Sequence, residues 1–360
     1  MDPLGFLQRV VSTPSPSGHE EHVAEVLLEG MQALGLAVDR DAAGNVIGRT
    51  GDAEAACHIV LLGHMDTVPG HIPVCQRNGS LYGRGSVDAK GPLVAFVLAA
   101  ARAAEGGCRA QITVVGAVGE EAYSQGAHHL ARTMPAPSCV IIGEPGGWEG
   151  VTIGYKGVLS LKWDLSLPAM HSAAGAATPA EIATDFWRQV QSDASLVNNG
   201  RSGHFDTLDP SLRAIRSSDD GLQQGAAMHL TLRYPPGMEA EGLLARLSGF
   251  CTPEAHLQTV YSEPPFIAPK NTPPVRALLR AIRTNGGSPR FKLKTGTSDM
   301  NVVGPIWQCP IVAYGAGDSS LDHTPNEHID LDEWLRSIEV LRGVLCTLGQ
   351  DVQATARAAV

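Results

Sequence analysis

Apolar positions along the chain follow two periods, and the change between them divides it. Leu4, Leu7, Val10 and Val11 keep helical spacing behind Asp2-Pro3, an N-cap followed by a first-turn proline. Val23, Val26, Leu27, Met31 and Leu34 do the same ahead of Gly35, the residue expected just past a helix end. Short apolar runs bounded by glycine or polar residues then predict buried strands at 37–41, 45–49, 58–62, 111–118, 140–142 and 310–314, with an apolar helix at 92–104.

Between about 157 and 262 the pattern changes. Leu159, Leu161, Trp163, Leu165 and Leu167 alternate with Ser160, Lys162, Asp164 and Ser166, the signature of a sheet with one wet face. Thr178-Pro179-Ala180-Glu181 reads as a capping box opening a helix to about 190. Strands near 212–216, 228–234 and 257–261 and a helix at 239–250 complete a β-α-β-β-α-β order, that of the ferredoxin-like sandwich. The fold class is therefore α/β: a mixed-sheet catalytic domain formed by 1–156 and 263–360, interrupted by a ferredoxin-like domain at 157–262. After the proline-rich return at 264–274, a helix at 275–285, a strand at 291–294, a polar loop at 295–301 and a closing helix at 331–348 are expected.

At 360 residues the chain is long enough for two cores. A formal net charge of −10 argues against a nucleic-acid binder, which needs a basic face to neutralise phosphates. Met1-Asp2-Pro3-Leu4 lacks a basic region followed by an apolar one, and the longest apolar run, 93–101, is too short to span a bilayer; a cytoplasmic protein is expected. The seven cysteines never approach metal-binding spacing and read as small buried hydrophobes, with Cys139 and Cys309 placed in strands.

The chemistry lies at the ends of the apolar runs. Ile59-Val60-Leu61-Leu62 stops at Gly63-His64-Met65-Asp66, and two residues apart on an extended backbone His64 and Asp66 point the same way. Asp88, the pair Glu120-Glu121, Glu144 and His323 likewise follow apolar stretches beside glycine. Open α/β sheets keep their ligands at such carboxyl ends, and imidazole with carboxylate is a metal-ligating set. Gly83-Arg84-Gly85 is only a fragment of a dinucleotide fingerprint; its glycines are read as letting backbone pass close to the site.

These residues sit in motifs that resemble, in order along essentially the whole chain, the M20 family of di-metal amidohydrolases and exopeptidases: GHMDTVPG, GRGSVDAKGP, GEEAYSQG, IIGEPGG, GYKG, the lone His171, GTSDMN and YGAGDSSLDHTPNEHI. The resemblance implies that His64 and Glu144 bind one metal, Glu121 and His323 the other, and Asp88 bridges them. It further implies Asp66 as the hydrogen-bond partner of His64, Glu120 as general base and His171 as oxyanion stabiliser from a lid that also dimerises. A ligand set without thiolate suits Zn²⁺ or Co²⁺.

Glutamate at position 144 is similar to the carboxypeptidases and deacylases of the family, which act on substrates with a free carboxylate. Arg233 is a candidate clamp for that carboxylate. Thr297, Ser298 and Asp299 are candidate substrate contacts, Asp299 for an ammonium group. The loop wording is most similar to family members that release lysine or ornithine from the C-terminal glutamate of an acidic amino-group carrier protein. A basic patch from Arg201, Arg213 and Arg216 or from Arg290, Lys292 and Lys294 could receive such a partner. A deacylase of free N-acetyl or N-succinyl amino acids, or a non-catalytic metal-binding scaffold, are the competing readings.

Overall fold

The structure, a computed structural model, describes residues 1–358. Two helices open the chain, α1 (Pro3–Ser12) and α2 (Glu21–Ala33). Asp2 caps α1 by accepting the N–H groups of Leu4 and Gly5 at 3.2 and 2.9 Å. There follow β1 (Ala37–Arg40), β2 (Val46–Gly51), β3 (His58–His64), β4 (Cys75–Arg77), β5 (Ser80–Tyr82), α3 (Lys90–Glu105), β6 (Gln111–Ala117), α4 (Gln125–Thr133), β7 (Cys139–Ile142) and β8 (Gly150–Tyr155). The middle of the chain supplies β9 (Gly157–Pro168), α5 (Pro179–Val197), β10 (Asp209–Asp219), β11 (Gln223–Tyr234), α6 (Ala240–Ser248), β12 (His256–Glu263) and the short β13 (Phe266–Ile267). The remainder is α7 (Pro273–Thr284), β14 (Arg290–Lys294), α8 (Asp299–Trp307), β15 (Ile311–Ala313), β16 (His328–Asp330) and α9 (Leu331–Ala358).

These elements divide into two compact units, one of Met1–Gly154, Ala268–Leu293 and Ser298–Val360, the other of Tyr155–Ile267 and Lys294–Thr297. In the first, a mixed sheet runs in the order β1-β2-β6-β3-β7-β15-β8. Strand β3 is parallel to both β6 and β7, and β15 is parallel to β7. The carboxyl ends of four strands therefore face one way. Helix α3 is apolar and buried along most of its length, Arg102 and Glu105 in its last turn reaching the surface, and it packs against β3, α1 and α9. Each fully buried Leu, Val or Phe there contributes about 1.5–3 kcal/mol over an exposed one.

The second unit holds an antiparallel sheet in the order β10-β11-β9-β12. Leu161, Trp163 and Leu165 turn to the buried face, where Trp163 stacks on Phe186 of α5 with ring centroids 5.6 Å apart. Thr178 and Glu181 form the expected capping box, but α5 runs on to Val197. Strands β10 and β11 are also longer than their apolar residues indicate, because the ladder continues to Asp219↔Gln224 around a turn in which Asp220 accepts the N–H groups of Leu222 and Gln223.

Other differences have local causes. The hairpin β4–β5 turns at Asn78-Gly79, both at positive φ, a pair that signals a tight hairpin by itself. The expected polar loop at 295–301 is interrupted by α8: Ser298 accepts the Met300 N–H while Asn301 accepts the Ser298 N–H, a reciprocal cap. Helix α4 and strand β8 have no counterpart among the sequence expectations. Cys139 is buried in β7, but Cys309 precedes β15 and is partly exposed, and Cys75 is exposed. Among the described residues, no helix is long and apolar enough to cross a membrane.

Candidate metal centre

The carboxyl ends of the parallel strands hold the titratable cluster. His64 ends β3 and is 1% exposed. Its Nδ1 donates to the main-chain carbonyl of Asp66 at 3.0 Å, with an Asp66 carboxylate oxygen at 3.3 Å. A proton fixed on Nδ1 leaves the Nε2 lone pair free for a cation, the usual arrangement behind a ligating histidine. Nε2 lies 3.1 Å from Asp88 Oδ1 and 3.9 Å from Glu144 Oε1.

Asp88, just ahead of α3, shows its other oxygen to the second imidazole: Oδ2 is 3.1 Å from His323 Nε2, which is itself 2.8 Å from Glu121 Oε1. One carboxylate thus stands between two imidazoles, each with a further carboxylate of its own. Ligands about 2.1 Å from a common ion sit slightly over 3 Å from each other, so these separations fit divalent cations on either side of Asp88. Ligand atoms of His64, Asp88 and Glu121 all lie within 4.8 Å of one another.

Burial and mutual charge set the protonation of the group. Burial alone would push the His64 imidazole down, but Asp66 and Asp88 outweigh it and hold it well above the ordinary value. His323 is pushed up to about 10 by its hydrogen bonds to Asp88 and Glu121. Burial opposes ionisation of Asp88, yet the two imidazoles hold it well below the carboxylate range. Glu120 is driven well above that range, first by burial and then, against the opposing pull of His64, by the charges of Glu144, Glu121 and Asp299. Asp299, 2% exposed in the first turn of α8, is pushed up to about 7 chiefly by burial.

Seven of the residues singled out from sequence, His64, Asp66, Asp88, Glu120, Glu121, Glu144 and His323, lie in this cluster, and Asp299 acts on it electrostatically. The Asp66 carboxylate is used mainly on backbone: it accepts the Glu120 and Glu121 N–H groups at 3.0 Å each and the Ser17 hydroxyl at 2.6 Å. His171, Arg233 and Thr297 belong to the second unit. There His171 is exposed, with Nδ1 accepting the Ala173 N–H, and the Arg233 guanidinium donates to the Thr297 hydroxyl at 2.8 Å. The Ser298 hydroxyl is used in capping α8.

Sequence reasoning missed three buried polar residues around the cluster. Glu20 accepts the Gly119 N–H at 3.1 Å, Lys90 donates from Nζ to the Thr13 carbonyl at 2.7 Å, and Glu327 is wholly enclosed. A charged residue between polar neighbours gives no periodic signal, so only the motifs containing Lys90 and Glu327 drew attention to those stretches.

Comparison with known proteins gives one family. Residues 60–347 match the model of peptidase family M20/M25/M40. The chain is 41% identical to the LysW-lysine hydrolase of Deinococcus radiodurans, covering 95% of this chain and 96% of that one. It is 30% identical to the LysW-lysine/LysW-ornithine hydrolase of Sulfurisphaera tokodaii, over 91% and 90% of the two chains. Among solved structures, an M20 family metallo-carboxypeptidase of Sulfolobus solfataricus superposes with a TM-score of 0.81 at 16% identity, covering 97% and 99% of the chains. A dinuclear metal-binding M20 peptidase of Bacillus subtilis does so at 0.71 and 11%, covering 96% of each. The motifs, the ligand geometry and a match across most of its length agree, and the chain belongs to peptidase family M20/M25/M40.

Proposed function

We propose that the protein is a two-metal amide hydrolase that releases L-lysine, L-ornithine or both from the γ-carboxyl of the C-terminal glutamate of an acidic amino-group carrier protein, in lysine and arginine biosynthesis. The observation that carries the chemistry is Asp88, whose two oxygens each stand 3.1 Å from a different imidazole. The names of the near-full-length relatives support the substrate class.

His64 and Glu144 would hold one ion, Glu121 and His323 the other, with Asp88 shared and Zn²⁺ or Co²⁺ as the metal. The residues would thereby supply the site with divalent-metal chemistry, the acidification of a water molecule and polarisation of the scissile carbonyl. Glu120, half-buried just beyond β6, would take the proton that the water loses and return it to the amine nitrogen as the C–N bond breaks. Asp66 holds Glu120 and Glu121 in place through their backbone.

The fold reading is a zinc-exopeptidase-like catalytic domain of 1–156 and 263–360 with a ferredoxin-like lid and dimerisation domain of 157–262. The β-α-β-β-α-β order of β9 to β12 with α5 and α6 supports the ferredoxin-like part of this reading. His171 is assigned to the developing oxyanion, Arg233 and Thr297 to the substrate carboxylate, and Asp299 to an ammonium group, with Ser298 shaping the loop that presents it. The enzyme is assigned to the cytoplasm as a homodimer.

The test measures lysine and ornithine released by Zn²⁺- or Co²⁺-loaded protein from an aminoacyl-γ-glutamyl carrier protein and from free N-acetyl and N-succinyl amino acids. Preference for the carrier is expected. Equal or faster turnover of the free compounds would make the protein a general deacylase.

A further inference from the structure

Glu327 is 0% exposed and carries no ligand role. It lies four residues beyond His323, just before β16, and all of its polar contacts go to the loop that delivers Asp88. Oε1 accepts the Val87 N–H at 3.0 Å and the Asp88 N–H at 3.2 Å. Oε2 accepts from the Arg84 guanidinium at 2.7 Å, and the Glu327 main-chain carbonyl accepts the Gly83 N–H at 3.3 Å. Strand β16 then continues the attachment by pairing with β5 through His328↔Tyr82 and Ile329↔Leu81.

The 83–88 loop is thus fastened at both ends by one residue. A buried carboxylate is costly unless paired and hydrogen-bonded, and this one receives a guanidinium and two backbone N–H groups, with the Lys90 ammonium near enough to feel its charge. Nothing in the chemistry of amide hydrolysis uses it.

We infer that Glu327 is a positioning residue: by holding the Asp88 backbone it fixes the carboxylate so that one oxygen faces His64 and the other His323, and it ties that bridge to the chain segment supplying His323. The inference rests on the metal reading above and adds to it the device that keeps the shared ligand centred. Residues behind a ligand commonly change metal affinity by about 10- to 100-fold when removed.

The test uses full-length protein stripped with a chelator and titrated with Zn²⁺ against a chromophoric competitor, alongside thermal unfolding of the metal-free form. Glu327→Ala is expected to bind Zn²⁺ about 10- to 100-fold more weakly, with Glu327→Gln between it and the parent because the amide oxygen still accepts the two N–H groups. If Glu327→Ala does not fold, Glu327→Gln carries the test. Leu278→Ala, which opens a cavity at a buried position in α7, is expected to lower the melting temperature without changing Zn²⁺ affinity. Affinity within about twofold of the parent in the Glu327 variants, or an equal loss in Leu278→Ala, overturns the positioning role. Absence of tight Zn²⁺ binding by the parent overturns the metal reading itself.

Discussion

The carboxylate of Asp66 accepts the Glu120 backbone N–H at 3.0 Å on one oxygen, while the other accepts that of Glu121 at the same distance. Asp66, two residues beyond the proposed ligand His64, is therefore also the anchor of the turn that carries Glu120, the proposed general base. Asp66→Asn keeps one acceptor and turns an amide N–H₂ toward the other donor, leaving a buried donor unpaired. A loss of about 10- to 100-fold in kcat/KM is expected for the metal-loaded variant. Steady-state kinetics indistinguishable from the parent would show that the anchor is dispensable.

The proposed ligand role of His323 would couple metal loading to pH. In protein free of metal, Asp88 and Glu121 push its imidazole up to about 10. A raised imidazole contributes stability that is fully present below the unfolded histidine value of about 6.5 and is lost as pH rises through about 10. Asp88, held low by the imidazoles, contributes stability present above its unfolded value of about 3.9 and lost in acid. A metal ion must displace the His323 proton, so Zn²⁺ affinity should rise from pH about 6.5 toward pH about 10, with proton release seen by calorimetry in buffers of different ionisation enthalpy. An affinity flat across that range would contradict the assignment.

Glu120 separates hydrolysis from binding. Glu120→Gln preserves shape and removes the base, so kcat should fall by about 10²- to 10⁴-fold. Metal content measured on the same preparation should match the parent. Full activity in the variant would move the proton chemistry to another group.

Three of the proposed ligand positions, His64, Glu121 and Glu144, stand out in the sequence because they follow apolar strands that end abruptly, whereas Asp88 and His323 lie in loops and stand out only through their motifs. His64 after Ile59–Leu62 and Glu144 after Val140–Ile142 stand out because a strand buried on both faces has no other reason to stop at a charge beside glycine. The second unit was equally legible, since alternation along β9 and β11 reports a half-buried sheet. What escaped was structure held by polar contacts. Ser298 and Asn301 cap α8 inside a stretch that reads as loop, and the inward residues of β8 lie between the glycines of Gly150-Val-Thr-Ile-Gly154 with no polar alternation. Glu327 and Glu20 act on backbone N–H groups far away in sequence, and no local pattern records such a partner.

Gly91 offers a test of how tightly the Asp88 loop is packed. A Cβ there would lie 2.2 Å from the Ser86 carbonyl oxygen and 2.9 Å from a methyl of Ile329, and the first of these is backbone that cannot swing aside. Gly91→Ala should destabilise the protein by about 1–3 kcal/mol through overpacking, despite alanine's better helix propensity. Chemical denaturation measures this. Unchanged or increased stability would mean that the 86–91 turn relaxes freely.

Strand β14 concerns how a carrier protein would be met. Arg290 and Lys292 are exposed on it, and Phe291 and Leu293 are 43% and 44% exposed, with the Lys270 ammonium 5.7 Å from the Phe291 ring centroid. On a chain of net charge −10, this strand gathers basic and apolar side chains on one exposed stretch, the kind of local patch that could receive an acidic partner. Steering depends on the local field and weakens once salt shortens the screening length to about 8 Å. Reversing Arg290 and Lys292 to glutamate should therefore raise KM for an acidic carrier substrate, flatten its dependence on ionic strength and leave turnover of a free N-acyl amino acid unchanged. Parallel kinetics on the two substrates at low and high salt measure each effect. If carrier turnover keeps its parental KM and salt dependence, docking uses another face, with the exposed arginines Arg213 and Arg216 of β10 the next to reverse.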